Sequence, residues 1–129
     1  MRHSHQDGRS ESFADYAESY VRRAVARERE RLDRRQDLEA RAKAIAEWLR
    51  QRYGKRVRVL LFGSLVDPDR FAPGSDIDLA VEGLSPTEYW EAWGLAEERA
   101  DDASLDFVRM ESASRGLREV IRAEGRELP

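Results

Sequence analysis

The sequence has no cysteine, four prolines, eight glycines, two lysines among its 23 cationic residues, and no long apolar run. Without cysteine there can be neither disulfides nor thiolate metal sites, and the redox compartment leaves no trace. No stretch approaches the roughly 18 apolar residues that a membrane-crossing helix needs, and the opening MRHSHQDGRS lacks the apolar centre of a signal peptide. The expectation is a cytoplasmic protein without a membrane span. What is present is 129 residues, 40% of them hydrophobic, enough for one domain with a modest core. Charged residues make up 38%, which implies a heavily solvated surface.

The net charge of −3 conceals an asymmetry. Residues 1–58 carry 16 Lys+Arg against 10 Asp+Glu, and residues 59–129 carry 7 against 16. A basic arm joined to an acidic domain is one signature of nucleic-acid binding. Here the acids are interleaved with the bases (RERERLDRRQDLE), a pattern that favours i,i+3 and i,i+4 pairing along a solvated helix face instead.

Residues 1–10 are polar and aperiodic and read as a disordered tail. From residue 11 to residue 53 there is no glycine and no proline, and apolar residues recur in steps of three and four. They fall in two groups: Phe13, Tyr16, Ala17, Tyr20, Val21 and Ala24, then Leu38, Ala42, Ile45 and Leu49. That spacing predicts amphipathic helix, ended by Gly54. The polar stretch 27–37 marks either a break or an exposed run, so the expected division is a helical arm over 11–36 and a domain over 37–129. Beyond Gly54 the period shortens. Val57–Phe62, Ile77–Val81 and Ser104–Arg109 read as strands. Ser85-Pro86-Thr87-Glu88 opens a helix to about Asp102, and a last helix covers Ala113–Glu124. The order describes a small α/β (α+β) domain: a mixed sheet with flanking helices, preceded by the arm.

Three carboxylates stand out. Asp76 and Asp78 alternate with Ile77 and Leu79, so their side chains leave the same face of a strand. Two bare acids side by side repel, a cost that divalent cations would offset; a solvated acidic edge is the plainer alternative. Asp106 is a third acid on an apolar strand. Gly63-Ser64 closes an apolar strand, and a helix beginning there would aim free amides at phosphate oxygens. Ser64 and Asp67 also have the spacing of a capping box, and Pro68 keeps any such helix short. Three acids facing a phosphate-binding turn make a plausible two-metal site.

The run LFGSLVDPDRFAPGSDIDLAVEGL resembles the signature of the DNA polymerase β-like nucleotidyltransferase superfamily, and more narrowly the minimal nucleotidyltransferases of the MNT type. The ending DFVRMESASRGLREVIRAEGREL is similar to that family's third-aspartate strand and closing helix, so the resemblance covers about residues 37–128. It implies the polymerase β-like fold, with Asp76, Asp78 and Asp106 as catalytic metal ligands for two Mg²⁺ ions. It also implies Gly63, Ser64, Arg70 and Ser75 around the nucleotide, with ATP as substrate. Two departures bear on activity. The stretch between Ser64 and Asp76 is one residue longer than is common, and Asp67 stands where many relatives carry a phosphate-binding arginine, a role open to Arg70.

The chain is too short to hold a nucleic-acid primer, and its acidic half would repel one. The resemblance implies transfer of AMP from ATP to a hydroxyl on a partner protein: the antitoxin half of a HEPN–MNT toxin–antitoxin pair, adding AMP to a tyrosine of a HEPN ribonuclease. Phe13, Tyr16 and Tyr20 on one face of the arm suggest an interface for that partner, or equally a homo-oligomer held by a coiled coil. Two alternatives stay open: a small-molecule nucleotidyltransferase of the antibiotic-modifying kind, and a catalytically degenerate antitoxin that works by binding alone.

Overall fold

The structure, a computed structural model, describes the backbone from residue 2 and side chains from residue 12 onward. The tail expected over 1–10 lies outside the residues described in full. The first element is the 52-residue helix α1 (Arg2–Tyr53). It stops at Gly54, whose φ of +104° only glycine adopts readily and whose amide donates to the Arg50 carbonyl at 2.9 Å. No helix among the described residues is long and apolar enough to cross a membrane.

The chain divides into two compact units, Met1–Asp33 and Arg34–Pro129. The first is helix alone, with exposed ion pairs Glu18–Arg22 and Glu28–Arg31 along it. The second begins slightly before the boundary at 37 expected from the sequence. The reason is that Arg34 pairs with Asp102 and Arg35 donates to the Leu65 carbonyl, contacts that composition could not reveal.

In the second unit a four-stranded mixed sheet runs in the order β3-β2-β1-β4. Its strands are β1 (Arg58–Phe62), β2 (Ile77–Glu82), β3 (Leu105–Arg109) and β4 (Arg126–Leu128). β1 is antiparallel to β2 and β4, while β2 and β3 are parallel, joined by α2 (Pro86–Ala100) as their crossover. α2 opens at Ser85-Pro86 as expected, and a capping box closes its start: Ser85 accepts from the Glu88 amide and Glu88 accepts from the Ser85 amide. α3 (Arg115–Glu124) starts at its cap Ser114, slightly later than expected, because Met110–Ser112 forms a separate 3-10 turn. β4 has no counterpart in the sequence reading. Three residues, two of them charged, show no alternation, and only the exposed edge of β1 makes them a strand.

The pleat sorts the sheet into two faces. Val59, Leu61, Ile77, Leu79, Val81, Leu105 and Phe107 join Leu38, Ala42, Ile45 and Leu49 of α1 and Ala92, Ala96 and Ala100 of α2 in the main core. On the other face Leu60 and Ala80 pack with Met110 of the 3-10 turn and Ile121 of α3. Phe62, Asp78, Asp106 and Val108 have that second parity. The apolar members lie under α3, and the two aspartates lie toward the beginning of β2 and β3, on the thinly covered side.

Candidate active site

The parallel register sets Asp78 directly beside Asp106, and the antiparallel one sets Phe62, the residue before Gly63, on the other side of Asp78. Asp76 immediately precedes β2 and does not lie within it; it and Asp106 are exposed, whereas Asp78 is half-buried. Burial, with the charge and hydrogen bond of Asp106 and the charge of Asp76 alongside, pushes the Asp78 carboxyl from 3.8 up to about 7, and only the Arg70 guanidinium pulls the other way. One pocket of charge thus gathers all three acids and one cation. Among the described residues no three acidic or imidazole side chains are closed around a common point as a finished metal cage. The donor chemistry nevertheless fits a hard divalent cation, because Asp78 and Asp106 stand side by side in the register and bound positive charge would offset their mutual repulsion.

Gly63 stands against Asp78. Its φ is +73°, and a Cβ built on it would overlap the Asp78 Oδ2. Any other side chain here would strain the backbone and displace the carboxylate. Gly63–Leu65 forms a single 3-10 turn, closed by the Val66 amide on the Gly63 carbonyl at 3.2 Å. The expected Ser64–Asp67 capping box does not exist. Ser64 lies inside the turn whose cap position is Phe62, and Asp67 instead caps the following turn, Pro68–Arg70, accepting from the Asp69 amide at 3.1 Å. Pro68 begins that second turn, so the helical segment is as short as its position implies.

Asp67 therefore has a local task that explains an acid at a position where an arginine would meet phosphate. Arg70, at the end of the turn that Asp67 caps, lines a cleft of about 340 Å³ with Gly63, Val66, Asp67 and Glu124. Residues 42–126 match the family described as "Nucleotidyltransferase domain". The chain belongs to that family.

Solved nucleotidyltransferase-fold structures agree. A chain of a toxin–antitoxin complex crystallised with AMP-PNP superposes with a TM-score of 0.54 at 26% identity, covering 67% of this chain and 72% of that one. A complex of a tri-AMPylated Shewanella oneidensis HEPN toxin with an MNT antitoxin matches at 0.52 and 25%, over 71% of each chain. The MntA–HepT toxin–antitoxin complex matches at 0.50 and 25%, over 68% and 69%. No curated protein matches the sequence. These likenesses bear out the MNT-type resemblance drawn from Gly63-Ser64, Asp76, Asp78 and Asp106, and the mixed α+β fold with it.

Around the candidate site, Ser75 is occupied locally. Its hydroxyl accepts from the Ala72 amide at 2.9 Å and its own amide donates to the Ala72 carbonyl, closing the turn that delivers Asp76. Arg109 is held elsewhere, by the Leu84 carbonyl at 2.9 Å and the Ser112 hydroxyl at 2.7 Å. Glu124 is the lining residue that sequence reasoning missed. It ends an amphipathic helix as one acid among several, and only the packing of α3 on β1 carries it to the cleft.

Proposed function

We propose that this chain transfers a nucleoside monophosphate, AMP from ATP, to a hydroxyl of a partner protein, as the antitoxin of a HEPN-type toxin. The observation that carries the reading is the Asp78–Asp106 pair, with a positive-φ glycine against Asp78 that also lines the cleft holding Arg70. Asp76, Asp78 and Asp106 would hold divalent cations, which when bound neutralise the triphosphate and make the attacking hydroxyl more acidic. The chain's own groups do the rest. Gly63 lets the backbone come close to the phosphates, and Arg70 places a guanidinium at the same cleft for their charge. The acceptor oxygen bonds to the α-phosphorus as the bond from that phosphorus to the bridging oxygen breaks; pyrophosphate leaves, and Asp106, the exposed member of the pair, receives the hydroxyl proton.

A protein acceptor fits better than a nucleic acid, since residues 59–129 carry 16 acids against 7 bases. The neighbours in toxin–antitoxin complexes, one of them with an AMPylated HEPN toxin, support the same acceptor class. The exposed Phe13, Tyr16 and Tyr20 of the arm would offer that partner an apolar surface.

The test is label transfer from α-³²P-ATP with magnesium onto a HEPN protein encoded beside this one. Wild-type chain is expected to label it, while Asp76→Asn and Asp78→Asn fold normally and lose at least ~10³-fold in rate. Neutralisation of the toxin without any label would leave a binding antitoxin and overturn the transferase reading.

A further inference from the structure

We infer that Arg35 is a positioning residue for the nucleotide, holding the Gly63–Leu65 turn in place from outside the cleft. This rests on the nucleotidyltransferase reading above. The Arg35 guanidinium donates from Nη2 to the Leu65 carbonyl at 3.0 Å, across thirty positions of sequence. That carbonyl ends the 3-10 turn, where no backbone amide of a longer helix is present to take it up. The turn is then fixed from three sides. Gly63 is wedged against Asp78, the Val66 amide closes onto Gly63, and Arg35 draws on the far end.

The anchor is rigid at its own root. Arg35 precedes Leu38 by one turn of α1, and Leu38 is fully buried in the same core cluster as the fully buried Leu65. Side-chain packing therefore fixes where Leu65 lies, and the guanidinium fixes how its peptide plane is turned. That plane carries the Val66 amide, which closes onto the Gly63 carbonyl, so the guanidinium steadies the turn that carries the Gly63 and Ser64 amides, and a small misplacement of such donors is costly in binding. Arg35 Nε is buried with no protein partner. Arg35 does not line the cleft, so its effect is indirect. From sequence it is one arginine in a run of charge assigned to the solvated arm, which is why it escapes notice.

The experiment measures magnesium-ATP binding by calorimetry, and KM and kcat for label transfer, in wild type, Arg35→Ala, Arg35→Lys and Leu38→Ala. All are held well below their melting temperatures. Arg35→Ala should weaken magnesium-ATP binding about tenfold and raise KM in proportion, with kcat changed less. Arg35→Lys, which keeps one donor for the Leu65 carbonyl, should recover most of that loss. Leu38→Ala should melt earlier than Arg35→Ala yet bind nucleotide more nearly as wild type does. Wild-type affinity in Arg35→Ala, no rescue by lysine, or an equal binding loss in Leu38→Ala would each overturn the inference. A wild-type chain that fails to bind magnesium-ATP would instead overturn the nucleotidyltransferase reading beneath it.

Discussion

The two ends of α1 follow one sequence rule and meet opposite fates. Phe13, Tyr16, Tyr20, Val21 and Val25 recur at helical spacing and stand exposed, Phe13 at 75% and Tyr20 at 55%. Leu38, Ala42, Ile45 and Leu49 recur at the same spacing and are fully buried. The periodicity is a property of the helix, which repeats every 3.6 residues whatever lies beside it. Burial is a property of what packs there. Only the second group belongs to the core built with the sheet and α2.

The comparison breaks most sharply by truncation on each side. Ile45→Ala should destabilise the chain by about 2–5 kcal/mol, the lost transfer energy plus a cavity in a close-packed core. Tyr20→Ala should stay within about 0.5 kcal/mol, since it removes surface already in water. Paired urea titrations decide this, and an equally large effect at Tyr20 would mean that the arm face is covered within the folded chain.

A second contrast lies between the acids of the two units. Glu18 and Glu28 are exposed in simple helix pairs, while Asp78 is pushed up to about 7 by burial and by Asp106. A carboxyl kept neutral in the folded chain but free to ionise in the unfolded one favours folding below 3.8. That contribution fades as the pH rises toward about 7, where the folded group must also ionise. Melting temperatures in EDTA should therefore decline through this window, and Asp78→Asn should flatten that part of the slope. Identical pH profiles for wild type and Asp78→Asn would remove the charge crowding on which the site reading rests.

The smallest effect is expected from removing residues 1–33. The second unit keeps Arg34, Arg35 and the whole core, so its melting temperature should move by no more than ~2 °C. A calorimetric scan of the shortened chain checks this. Cutting at 36 instead removes the Arg34–Asp102 and Arg35–Leu65 contacts and should cost more.

Much of this molecule was legible in its residues because the signals are local. The helix start at Ser85-Pro86, the stop at Gly54 and the strands flanking the Gly63–Asp78 loop depend on near neighbours and appear where spacing placed them. The misses are one competition between adjacent turns and two that involve distant partners. Ser64 and Asp67 have a cap's spacing, but the chain spends them in two successive turns, because Pro68 starts a new one. β4 exists only because the outer edge of β1 is free to pair, and Glu124 reaches the cleft only through the packing of α3.

By itself the sequence determined α1 to α3 and β1 to β3, and which family motif links Gly63-Ser64 to Asp76, Asp78 and Asp106. Hydrophobic period, turn chemistry and motif spacing are written in consecutive residues. Only the tertiary structure decided that Asp78 and Asp106 share one register position, that Gly63 lies against Asp78, and that Arg35 belongs with the turn and not with the arm. Those are pairings across tens of residues, fixed by the free energy of burying a common core, and no local pattern specifies them.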